Sequence, residues 1–114
     1  MLTLEKLKAY GANYIEGLER CLNNEEFYFR LISKAINDES FMKLKIELEN
    51  KNYDTAFQIA HSLKGVLANL AITPMYDIVY EMTELLRGKK DIDYTNYIND
   101  LLNKREELME LMKD

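Results

Sequence analysis

Apolar residues recur three and four positions apart along almost the whole chain, the spacing of a helix face and not the alternation of a strand. A short first helix is predicted over about Thr3 to Ala9, stopping near Gly11. A second runs from about Asn13 to Leu22, with Tyr14, Leu18 and Leu22 on one stripe. "NNEE" at 23–26 then supplies a capping asparagine and first-turn acids, which suit the positive end of a helix dipole. Phe27, Leu31, Ile32, Ala35 and Ile36 follow at helical spacing. "NDES" at 37–40 marks an interruption before Phe41, Leu44 and Leu48 resume the period. After "ENKNYDT", Asn52 or Asp54 can cap a helix through about Ala71. Thr73-Pro74 reads as a capping hydroxyl followed by proline at the first helical position. That helix reaches Leu86 and closes at Arg87-Gly88, a cationic last turn with a C-cap glycine. "KKDID" is a loop, and a final helix spans about Tyr94 to Met112, with Ile98, Leu101, Leu102, Leu108, Met109 and Met112 apolar. No strand is expected. Short connections make successive long helices antiparallel neighbours. The predicted fold is all-α, an up-down-up-down antiparallel four-helix bundle with short N-terminal helical elements, in a single domain over residues 1–114.

Composition narrows the chemistry. The 114 residues are 47% hydrophobic and 31% charged, the balance of a globular domain with a real core. A net charge of −5 offers no basic footprint for nucleic acid or anionic lipid. No apolar run approaches a membrane span, and "MLTLEKLKAYG" lacks the uninterrupted apolar stretch of a signal peptide. With one cysteine, Cys21, no internal disulfide can form, and a cytoplasmic location is expected. One histidine and one cysteine make no usual zinc set, and a bridged di-metal bundle wants two Glu-x-x-His pairs. No phosphate-cradling glycine loop occurs. Ser62 adjoins His61, but adjacent helix positions diverge by about 100° and form no nucleophile–base pair.

The single histidine lies in "AHSLKGVLANLAITP", Ala60 to Pro74. On a helical wheel Ala56, Ala60, Leu63, Leu67 and Leu70 cluster roughly 150° from His61, at about 100° per residue, with Ile59 and Val66 widening that core face. Around His61 lie Asp54, Phe57, Gln58, Lys64, Gly65 and Ala68, so the imidazole points away from the bundle centre. A neutral imidazole nitrogen is a nucleophile able to take a phosphoryl group. An ammonium at i+3, Lys64, would stabilise the charge gained. Glycine costs a helix roughly 1 kcal/mol relative to alanine, yet Gly65 stands at i+4. Lacking a side chain, it would leave room for phosphoryl oxygens and for a partner. A solvated lysine and a glycine at a close helix crossing are the plainer alternatives.

"AHSLKGVLANLA" closely resembles the signature of histidine-containing phosphotransfer (HPt) domains, A-H-x-L-K-G-x-x-x-x-L-G, through Ala60, His61, Leu63, Lys64, Gly65 and Leu70, with Asn69 also common there. "GANYIEGLERCLNNEEFYFRLISKAIND" before the motif and "MYDIVYEMTELLRGKK" after it are similar to the family's flanking helices, so the resemblance covers nearly the whole chain. It departs at Ala71, where the family carries glycine, and at Val66 and Leu67, where the family carries small residues. These departures should change packing more than chemistry.

The resemblance implies a phosphorelay carrier passing phosphoryl groups to and from receiver-domain aspartates, with His61 as phosphoacceptor, Lys64 neutralising the phosphoryl group and Gly65 giving clearance. It implies no kinase activity of the chain's own, no metal and no cofactor, since the receiver brings the Mg²⁺. The expected partner is the receiver domain of a response regulator or hybrid histidine kinase, bound transiently by a monomer around Phe57, Gln58, Ser62, Ala68 and Asn69. The family often orients its histidine from the following helix, and Thr83 falls at that place, beside Glu84. Two other readings are a bundle that docks a receiver or kinase without carrying phosphate, and the phosphoacceptor domain of a chemotaxis-type kinase. The retained histidine argues against the first. Met1 at the start and the lack of linkers argue against the second.

Overall fold

The computed structural model describes residues 1–113 and is helical throughout them, with no strand. Seven helices follow in order: α1 (Leu4–Tyr10), α2 (Tyr14–Arg20), α3 (Glu25–Ile36), α4 (Ser40–Glu49), α5 (Tyr53–Asn69), α6 (Thr73–Arg87) and α7 (Thr95–Leu111). α5 and α6 pack together most extensively, with α4 against α5 and α7 against α6. One core runs through them. Tyr28, Ile32 and Ile36 of α3, Phe41 and Leu44 of α4, and Ala56, Ala60 and Leu67 of α5 are wholly buried with Met75, Val79 and Met82 of α6 and Leu101 and Leu108 of α7.

Local chemistry sets most boundaries. Thr3 caps α1 by accepting the Lys6 amide, and Gly11 ends it in the left-handed region at φ 107°. Asn13 and Asn24 cap α2 and α3 in the same way, the latter accepting from the Phe27 amide at 3.0 Å. "NDES" does interrupt the chain: Asp38 accepts the Ser40 amide at 2.8 Å, and hydrogen bonds from the Ser40 hydroxyl, then from its amide, hold the Asp38 carboxyl below the usual range. Asp93 turns the chain into α7 through the Thr95 amide.

Three expectations need correction. α2 ends at Arg20, and Leu22, placed on its apolar stripe, is 88% exposed. Leu22 and Asn23 both adopt left-handed angles, so the chain reverses there and carries Leu22 outward. Thr73 is a helical residue after the N-cap Ile72, and its hydroxyl points back to the Ala71 carbonyl instead of capping. Gly88 does C-cap α6 behind the cationic Arg87, with an ordinary negative φ, and the left-handed residue is Lys89. Val66 does not extend the core face; it is 42% exposed beside a groove between α3 and α5.

The turn after α5 bears on the site. The Ala71 amide bonds the Ala68 carbonyl and the Ile72 amide bonds the Leu67 carbonyl, closing the helix in a left-handed cap. Ala71 holds φ 55° in that cap. The family's glycine fits this position without steric cost, and alanine accepts the strain there.

Candidate functional site

α5 presents two faces. Ala56, Ala60, Leu63 and Leu67 face inward and are buried. His61, one hundred degrees on from Ala60, is exposed. Ring and backbone are therefore fixed by different things: the helix by its core contacts, the imidazole by its surface neighbours.

Those neighbours are specific. The Phe57 ring, one turn back, lies 5.7 Å from the imidazole centroid with an interplanar angle of 18°. This is an offset stack between positions i and i+4. The Arg87 guanidinium, from the last turn of α6, sits 5.1 Å over the Phe57 ring, and its Nε lies 3.6 Å from the Glu84 carboxylate. Lys64 is half-buried along its stem, with its ammonium 5.6 Å over the ring of Tyr80 on α6. Gly65 is exposed, and a Cβ built on it would meet nothing within 4 Å. The alternative of a close helix crossing at Gly65 is thereby excluded.

The residues expected around the imidazole divide between its two flanks. Gln58, Ser62 and Asn69 are exposed, and Ser62 and Asn69 line a groove toward α3 with Leu31, Lys34 and Val66. Phe57 and Ala68 are half-buried on the other side, where Ala68 shares a hollow with Arg20 and Tyr76. Thr83 has no free proton for the imidazole. It is fully buried, and its hydroxyl donates to the Val79 carbonyl at 2.7 Å, so its proton is spent within α6.

The structure adds three side chains that sequence reading did not assign. Arg87 read only as a cation suited to a helix end, and Tyr80 as an ordinary residue of α6. They stand seven positions apart, two turns along one face, and that repeat was the available signal. Arg20 of α2 donates to the Ala68 carbonyl near the end of α5 and pairs with Glu16. A cation suits that helix end.

Among the described residues no helix is long and apolar enough to cross a membrane. No curated protein and no solved structure matches the chain significantly. The model of one protein family, the Hpt domain, does match, over residues 4–112. With a match across nearly its whole length, and an exposed histidine on the helix that carries the motif, this chain belongs to the Hpt domain family.

Proposed function

We propose that this chain is a phosphocarrier and that His61 is its phosphoacceptor. Its membership of the Hpt family involves it in phosphorelay two-component signalling, in which such domains are phosphotransfer modules and not kinases. The observation that carries this reading is the setting of the sole histidine: exposed, with the Lys64 ammonium one turn on and unfilled space at Gly65.

In the transfer step a ring nitrogen attacks the phosphorus of a receiver's aspartyl phosphate. The N–P bond forms as the acyl-phosphate P–O bond breaks, and the aspartate leaves as a carboxylate. The proton on the other ring nitrogen stays in place, and the return step reverses both bond changes. Lys64 offsets the incoming negative charge. Gly65 lets phosphoryl oxygens and the receiver approach. Gln58, Ser62 and Asn69 on one flank, and Phe57 and Ala68 on the other, form the docking rim. The receiver supplies the Mg²⁺, and this chain binds no cofactor. The scaffold under this reading is one domain over residues 1–114. In it α3 with α4, then α5, α6 and α7, run up, down, up and down as an antiparallel bundle behind the short α1 and α2. The protein acts as a cytoplasmic monomer and releases its receiver after each transfer.

Incubation with a phosphorylated receiver should place an acid-labile, base-stable phosphoryl group on the chain. A His61→Gln variant should take up none. Label of the same stability on that variant would overturn the assignment.

A further inference from the structure

We propose that Phe57 and Arg87 are positioning residues for His61, holding its ring through a guanidinium–phenyl–imidazole stack. The proposal rests on the phosphocarrier reading above. An exposed imidazole on a helix has several open rotamers, and in-line attack on phosphorus demands one of them. A hydrogen bond from the next helix could select it, but Thr83 is buried with its proton donated to Val79. The stack offers another means. Phe57 is itself wedged at the edge of the core, so its ring is a fixed plate against which the imidazole lies at 18°. Arg87 covers Phe57 from α6 and is tethered one turn back by Glu84. Because α5 and α6 form the most extensive helix pair in the molecule, the guanidinium keeps its station over α5. The Lys64 ammonium resting over Tyr80 repeats the device. Both functional side chains of α5 are thus braced from α6 by π contacts and not by hydrogen bonds.

The sole histidine makes the test direct, since its ring proton resonances have no rivals. In the wild type the Phe57 ring current should displace the His61 ring signals from free-imidazole positions. Phe57→Leu should abolish the displacement and Arg87→Gln reduce it. At saturating receiver both variants should lower the transfer rate, Phe57→Leu by on the order of tenfold as orientation is lost. Phe57→Leu should also raise the half-saturating receiver concentration, since Phe57 belongs to the docking rim, whereas Arg87→Gln should leave that concentration unchanged. Phe57→Tyr, which keeps the plate, should restore rate and shifts. Unchanged ring signals in Phe57→Leu, an unchanged saturated rate, or a loss confined to half-saturation would each overturn the proposal, the last by making Phe57 a docking residue only. Arg87 is exposed, so its variant stays informative if Phe57→Leu folds poorly. A wild-type chain that takes no phosphoryl group removes the phosphocarrier reading and the positioning role together. A wild type that transfers normally beside equally active variants removes the stack's role alone.

Discussion

Gly17 and Gly65 are both helical glycines, and their surroundings are opposites. A Cβ on Gly17 would lie 2.6 Å from Tyr28 Cζ and 2.7 Å from the Leu70 carbonyl oxygen, with the Tyr28 hydroxyl closer still. A Cβ on Gly65 would touch nothing. Gly17 therefore has its explanation inside the molecule: the Tyr28 hydroxyl crosses that space to donate to Leu70 at 2.8 Å. The bond ties α3 to the closing turn of α5, where Arg20 also holds the Ala68 carbonyl. Downstream of His61 the helix is locked from outside. At His61 itself one flank is bare. Glycine weakens a helix by roughly 1 kcal/mol and no neighbour requires it at 65, so packing gives it no use; the proposed one is clearance for a phosphoryl-bearing receiver.

The sharpest way to break this contrast is at Gly17. Gly17→Ala should destabilise the fold by about 2–3 kcal/mol, the scale of overpacking against a backbone carbonyl and a rigid ring. Urea unfolding measures it. Phosphotransfer per folded molecule should stay near wild type, because the damage is remote from the imidazole. A stability equal to wild type would mean that the α2–α3–α5 junction is loose and that the two glycines are not distinct in kind.

Tyr28→Phe tests the bond that Gly17 admits. Removing the hydroxyl leaves a buried carbonyl short of a donor, a cost of about 1–3 kcal/mol. The junction also has a pH signature. Burial, with a smaller contribution from Cys21, pushes the Tyr28 phenol up from 10.0 to about 12. A phenol that holds its proton more tightly in the folded state stabilises that state below its unfolded pKa, and the gain is lost as pH rises through the folded one. Alkaline unfolding of the wild type should therefore include a component from about pH 10 to 12 that Tyr28→Phe lacks.

A third position inverts the comparison, for there a glycine would fit and is absent. Ala71 sits at φ 55° in the closing turn of α5. Ala71→Gly relieves a left-handed strain of roughly 1 kcal/mol and forfeits part of a buried methyl contact. A net gain of about 0.5 kcal/mol is expected by the same unfolding measurement. A clear loss would show that methyl packing dominates this turn.

How far the sequence could be read follows from the range of the forces involved. Helix spacing, asparagine caps and the Gly11 stop act within a turn or two, so α3 and α5 could be placed closely from residues alone. The inward face of α5 was legible for the same reason. Val66 was not, because its exposure depends on how far α3 stands from α5. Leu22 went astray because two successive left-handed residues leave no periodic trace, and Thr73 because a hydroxyl one residue late in the cap looks the same in sequence. His61, Lys64 and Gly65 were visible as a local motif. Arg87 and Tyr80 were not, because a contact made from another helix has no signature within α5. Thr83 shows the converse: alignment put it near the imidazole, but its depth in the core decides where its hydroxyl goes.

Gly65 should give the smallest change in stability and the cleanest separation of fold from function. With open space around it, Gly65→Ala should raise stability by up to about 1 kcal/mol through helix propensity alone, and Gly65→Gln should remain at or slightly above wild type. Transfer should move the other way. Alanine adds one methyl beside the imidazole and should slow phosphorylation modestly. Glutamine projects into the space proposed for the phosphoryl group and the docking receiver, and should slow it by on the order of tenfold through misplacement of the reacting atoms. The informative quantity is the sign of the two effects together. A glycine kept for folding would lose both stability and transfer when replaced, as Gly17 should lose stability. A glycine kept for an incoming partner gains the first and loses the second. Normal transfer by a stable Gly65→Gln would leave the glycine without a use, and clearance at His61 would cease to distinguish this turn of α5 from any other exposed helix surface.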